Sequence, residues 1–266
     1  MQLTNMVRDF LKTFLNIQIM KKPFLTIVTV LLFLFISCEK DDEVDKMITL
    51  TSAEITLYPN EEHQIEATSN TTITYFSENN YHASVTELGL VTAEFVGETI
   101  IVLSNDNDTK KVQITVKPKN NLYPEPNLEF GISRTALIEK YGVPDAETEA
   151  GIAYDNYSNA APIVMYFFDE NNKLEITSVM VKTQFSSSLG TFLSERYLPI
   201  DSENFIFINS LELENTTMLI GADLYNLSYW RVLYAPYSSS TKSSEKSANS
   251  FEKEINNLFL QFENRE

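Results

Sequence analysis

Between residues 47 and 117 apolar and polar side chains alternate in short runs, at 53–57, 64–67, 72–76, 90–93, 99–103 and 111–116. A period of two marks half-buried strands. Turn-forming residues separate the runs at Pro59-Asn60, Glu78-Asn79-Asn80, Gly89, Gly97 and Asn105-Asp106-Asn107-Asp108. Six or seven short strands at this spacing predict a β-sandwich of about 70 residues.

From Leu128 the pattern changes. Residues 133–141 set Leu137, Ile138 and Tyr141 on one face and stop at Gly142, which predicts a short helix. Strand-like runs follow at 152–154, 163–168 and 174–181, with a turn at 169–172. Shifting by 56 positions recovers the same order. Leu137, Glu139, Lys140 and Tyr141 fall on Leu193, Glu195, Arg196 and Tyr197, and strands fall near 205–209, 216–222 and 229–235. Two copies are too few for a solenoid, so residues 128–237 read as one pseudo-symmetric domain, a helix plus three strands repeated twice. The run 163–168 is apolar on both sides, Met165 and Phe167 on one and Val164, Tyr166 and Phe168 on the other. It is either a central strand covered by helices on one side or a strand whose second face meets a partner.

Residues 118–127 read as a linker stiffened by Pro124 and Pro126, which would hold the second domain out from the first. A polar linker at 238–248 leads to a predicted amphipathic helix at 249–264. Asn249 and Glu252 form its capping pair, and Phe251, Ile255, Leu258, Phe259 and Phe262 form an apolar stripe. That stripe is expected to pack on the repeat domain or in a partner's groove. The fold class is therefore mainly β with α+β character.

At the other end, the apolar run 24–36 follows Lys21-Lys22 and stops at Ser37-Cys38, the chain's one cysteine. Thirteen helical residues reach about 20 Å, short of a bilayer core of about 30 Å. Residues 1–37 thus read as a signal peptide, and a complete signal can also begin at Met20. Residues 38–46 then form a charged tether.

Charge narrows the partners. Residues 1–37 hold Arg8, Lys12, Lys21 and Lys22 against Asp9, which leaves 16 basic and 36 acidic residues beyond them and a net charge of −20. Such a surface repels nucleic-acid phosphates, so no nucleic acid is expected as a partner. No coenzyme-type glycine loop is present, and no cofactor is expected. His63 and His82 lie 19 positions apart without a nearby cysteine, too little for a metal site. The 105–108 run clusters oxygen ligands but lacks the glycine and distal glutamate of a calcium loop. Carboxylates such as Asp155, Asp169, Glu175 and Asp223 are plentiful, yet none pairs off as an acid and base. No catalytic residue is singled out. Tyr225, Tyr229, Trp230 and Tyr234 crowd the last hairpin and are the candidate ligand-binding residues, because aromatic faces stack on sugars and anchor protein contacts.

Five resemblances add to this reading. Phe35-Ile36-Ser37-Cys38 resembles the lipobox of bacterial lipoproteins, with Phe35 where Leu is usual. It implies cleavage before Cys38 and a diacylglycerol on its thiol, an anchor far stronger than one reversible acyl chain. Lys40-Asp41-Asp42-Glu43 is similar to the signal that sends some lipoproteins to the exterior face of the outer membrane. Tyr75-Phe76-Ser77-Glu78-Asn79, Ala83-Ser84-Val85-Thr86, Leu88-Gly89-Leu90-Val91-Thr92-Ala93 and the stretch from Val96-Gly97 to Val102 resemble group 2 bacterial immunoglobulin-like domains, with Tyr75 or Phe76 where Trp is usual. Such domains serve as adhesive modules or as spacers. The tandem unit resembles the β-lactamase-inhibitor-protein-like fold, and Phe130-Gly131-Ile132-Ser133 with Lys140-Tyr141-Gly142 is similar to the helix opening of small outer-membrane-assembly lipoproteins. Together they imply an outer-membrane, lipid-anchored, non-catalytic module that binds a protein or glycan. The alternative is a structural or assembly subunit of an envelope complex.

Overall fold

The computed structural model describes residues 47–237. The expected signal peptide at 1–37, the expected tether at 38–46 with Cys38, the expected linker at 238–248 and the predicted helix at 249–264 lie outside them. Residues 47–116 form nine strands: β1 (Thr49–Leu50), β2 (Glu54–Leu57), β3 (Glu62–Gln64), β4 (Ala67–Thr68), β5 (Thr74–Ser77), β6 (Ala83–Val85), β7 (Leu90–Ala93), β8 (Gly97–Ser104) and β9 (Thr109–Val116). A sheet ordered β2-β9-β8-β5 faces one ordered β3-β7-β6, and β1 pairs with β4. This is an immunoglobulin-like β-sandwich. Its core takes alternate residues of the long strands, Ile101 and Leu103 from β8 and Val112, Ile114 and Val116 from β9, as the period of two requires.

Two local readings change. The run 64–67 is not one strand. It breaks at Ile65, which is buried and donates its N–H to the Gly89 carbonyl, so the chain leaves β3 and rejoins as β4 beside β1. Of the two aromatic residues in β5, Tyr75 packs on the core while Phe76 is 63% exposed. The 105–108 run forms the β8–β9 turn. There Asn105 Oδ1 accepts the N–H groups of Asn107 and Asp108, and Asp108 accepts the Ile48 N–H at 2.9 Å. That last bond, aided by Lys110, holds the Asp108 carboxyl below the usual carboxylate range.

The second module is an eight-stranded antiparallel sheet with two helices. Helix α1 (Arg134–Tyr141) is capped by Ser133, whose Oγ accepts the Ala136 N–H at 3.2 Å, and ends at Gly142 with φ +89. Four strands follow, β10 (Ala146–Glu147), β11 (Gly151–Tyr154), β12 (Ile163–Phe168) and β13 (Leu174–Lys182). Then come α2 (Ser186–Ser194), β14 (Leu198–Asp201), β15 (Ile206–Ile208), β16 (Met218–Leu224) and β17 (Tyr229–Pro236). The order β10-β11-β12-β13-β17-β16-β15-β14 sets two four-strand halves side by side, joined by the β13–β17 pair.

Each half thus has four strands rather than three. The additional ones, β10 and β14, are edge strands, short or carrying Pro199, which suits an edge because proline has no N–H to give a ladder. The second helix also starts earlier than a fixed shift of 56 places it, so Glu195, Arg196 and Tyr197 lie beyond its last turn. Ser186-Ser187-Ser188 and Gly190 are weak helix formers. Burial of Leu189, Phe192 and Leu193 holds the helix in place.

Both helices lie on one face of the sheet, where Leu137, Leu189, Phe192 and Leu193 meet Val164, Tyr166, Val179, Val232 and Tyr234. All six residues of β12 are buried.

Residues 118–127 do not act as a spacer. Tyr123 and Asn127 are buried with the sheet module, Thr177 Oγ1 donates to the Asn127 carbonyl at 2.8 Å, and the Tyr157 hydroxyl donates to the Pro124 carbonyl. The prolines shape a strap over the helix face, and all described residues fall in one compact unit.

Gly97 tests the sandwich. It sits at φ +145, and a Cβ there would stand 2.2 Å from His82 Cε1. Gly97→Ala should therefore cost about 2–3 kcal/mol of stability, read as a lower urea midpoint. Glu98→Ala beside it should stay within about 0.5 kcal/mol.

Candidate functional site

The two modules meet where the β5–β6 turn of the sandwich reaches the end of α2. Asn79 Oδ1 accepts the Tyr81 N–H at 3.0 Å and shapes the turn. Tyr81 then stacks on Phe95, ring centroids 4.6 Å apart, and its hydroxyl reaches the carbonyls of Arg196 at 2.8 Å and Ile208 at 3.2 Å. Burial pushes this phenol far above its usual titration range, so it stays a donor. Beside it, the Val96 N–H donates to the Glu195 carbonyl at 2.8 Å.

Glu195 and Arg196 are both buried, which requires that each be satisfied. The Glu195 carboxylate accepts the Asn120 N–H at 3.0 Å and lies 3.9 Å from Arg196 Nη1. Arg196 donates to the carbonyls of Phe192 at 3.1 Å and Asn120 at 3.3 Å, and its guanidinium lies 3.8 Å from the Phe192 ring centroid. A cation at a helix C-terminus is favourable because the last carbonyls point at it.

These contacts leave a cleft of about 860 Å³ between the modules. The sandwich contributes Phe76, Glu78, Asn79 and Asn80, and the sheet module contributes Glu125, Asn209, Ser210, Leu211, Glu212 and Asn215. Glu125 accepts the Tyr197 hydroxyl at 2.7 Å, and Asn209 is fixed by Thr217 and Met218. Asn215 Nδ2 donates to Glu212 at 3.0 Å, which holds the far wall. Phe76 and Leu211 present exposed apolar surface to the same space. Amide and carboxylate acceptors beside an aromatic face suit a neutral ligand rich in hydroxyls, while Glu78, Glu125 and Glu212 disfavour an anion.

The four aromatic residues read from the last hairpin are not brought together. Neighbouring positions on a strand point to opposite faces. Tyr225 and Tyr229 lie on the face away from the helices, where Arg231 makes a two-point pair with Asp223 at 2.9 and 2.5 Å. Trp230 faces the helices, its indole N–H donating to Ser186 Oγ at 2.8 Å and its ring tilted on Phe205. Tyr234 is fully buried and its hydroxyl meets Tyr123 Oη at 2.8 Å, so it is a core residue with no surface for a ligand. The scattered carboxylates also have local duties. Asp169 closes its turn by accepting the N–H groups of Asn171 and Lys173, and Asp223 holds Arg231.

No family model matches the chain, and no curated protein matches it. Among solved structures it is similar to an intimin mutant of EHEC O157:H7, at 20% identity over 35% of this chain and 50% of that one, with a TM-score of 0.22. It is also similar to domains 4–9 of the surface layer protein SbsC, at 12% identity over 74% of this chain and 28% of that one, with a TM-score of 0.26. Human protocadherin-24 EC1-2 matches at 13% identity over 74% and 98%, with a TM-score of 0.24. The matched part is half or less of the first two proteins' own length. At such identities and superpositions the likeness carries nothing about activity.

Tyr81→Phe removes the hydroxyl proton that the Arg196 and Ile208 carbonyls share. It should cost about 1–2 kcal/mol, measured by chemical denaturation, and should speed hydrogen exchange at the Val96 amide.

Proposed function

We propose that this protein is a non-catalytic binding lipoprotein, anchored through Cys38 and displayed on the exterior of an outer membrane, whose inter-module cleft holds a glycan. The observation that carries this reading is the cleft itself. It joins an exposed Phe76 ring to amide and carboxylate groups held by their own hydrogen bonds. Pre-set polar groups around an apolar platform are the usual make-up of a small-ligand site. The lipobox-like run at 35–38 and the acidic tether support the anchor, and the mature chain's charge of −20 suits a solvated surface protein. The common order of elements in the two halves of the sheet module supports its likeness to the β-lactamase-inhibitor-protein-like fold. That likeness supplies no inhibitory residue, so no enzyme target is part of the reading.

A glycan array probed with the mature chain tests the site. Saturable binding is expected, weakened about ten-fold by Phe76→Ala because a stacked aromatic contributes about 1–1.5 kcal/mol. Tyr229→Ala, on the other module's far face, should leave it unchanged. A blank array, or equal loss from both variants, would remove the glycan cleft. The anchor has its own test. Cys38→Ser should move the protein from the detergent phase to the aqueous phase, and continued partition into detergent would sink lipidation at that residue.

A further inference from the structure

The sheet face away from α1 and α2 is mainly apolar, with the Arg231–Asp223 pair and Ser178 set into it. One row of paired residues crosses it from β11 to β15 through Ala153, Met165, Ser178, Leu233, Gly221 and Ile206. Small and large residues alternate along it, so the row is ridged, and a Cβ added at Gly221 would meet nothing within 4 Å. Met165 and Met180 on this face are 0% exposed, yet neither described helix contributes to their cluster. Strands shield only the flanks of such side chains, and their outward ends leave water when another layer lies on the sheet.

We propose that this layer is the chain's own segment 249–264. The described residues end at Tyr237, just past the central strand β17, and the chain continues to Glu266. The polar stretch 238–248 can span up to about 36 Å, while β17 is about 26 Å long at 3.3 Å per residue. The segment can therefore return over any part of the face. As a helix its sixteen residues would extend about 24 Å, the width of five spacings between strands at about 4.8 Å. That equals the distance from β11 to β15. Its stripe of Phe251, Ile255, Leu258, Phe259 and Phe262 is as apolar as the face and needs a partner of this kind. A second copy is the weaker occupant, because two chains at −20 repel.

The test places p-benzoylphenylalanine at position 258 of the otherwise unchanged chain, irradiates it and maps the adducts by mass spectrometry. Adducts within the same chain on β12, β13 or β17 are expected, and adding Phe259→Asp should lower their yield about ten-fold, since a buried carboxylate is costly. Covalent dimers would assign the face to a second copy and overturn the proposal. Adducts elsewhere, no adduct, or a yield indifferent to Phe259→Asp would overturn it as well.

Discussion

A tyrosine hydroxyl buried across a module boundary fixes the geometry on which the rest depends. Tyr81 leaves the sandwich, and its oxygen lies within reach of two carbonyls of the sheet module. Opening that boundary would break the Tyr81 bonds and the Val96 N–H to Glu195 carbonyl bond, while the Glu195 and Arg196 side chains keep their partners in the 118–127 strap and α2. A buried hydrogen-bonding group left without its partner costs about 1–3 kcal/mol. These bonds specify the docking, and the cleft lies beside them. A spacer on a free hinge would have no such cleft.

The strap adds a second constraint. Tyr123 lies on Phe192, and its hydroxyl meets Tyr234 at the centre of the helix face. Burial raises both phenols, so the pair remains neutral and hydrogen-bonded. Glu125 on the same strap accepts from Tyr197 and reaches the cleft wall. One stretch of chain thus joins the core of the sheet module, the buried charges at the end of α2 and the candidate ligand site.

The cleft and the far sheet face divide the surface by chemistry. The cleft is polar and acidic with one exposed ring, suited to hydroxyl-rich ligands. The far face is mainly apolar around β12, β13 and β17, with one Arg231–Asp223 pair, and suits an amphipathic helix. Because β17 alternates sides, its aromatic residues are shared between the two layers. Trp230 and Tyr234 stabilise the helix side, and Tyr229 belongs to the other.

Much of the fold is legible in the chain because its signals are local. Alternation with turn residues marks the sandwich strands, Ser133 and Gly142 bracket α1, and the apolar run 163–168 announces a central strand. The edge strands β10 and β14 are not legible, being short, half-polar and held by their neighbours' hydrogen bonds. Nor is the early start of α2, where packing overrides weak propensity. The site lies further still from local pattern. Tyr75 and Phe76 are adjacent, and only the packing of β5 shows which one turns outward. Tyr81 and Arg196 are 115 positions apart, and nothing in either neighbourhood marks them as partners. The sequence by itself determined where most of the central strands and α1 form and that the chain beyond residue 37 is acidic, since those follow from side-chain period and charge. Tertiary structure alone decided that the proline stretch is a strap, that the hairpin aromatics part to opposite faces and that a cleft opens between the modules. Each depends on contacts between distant residues, which local pattern does not encode.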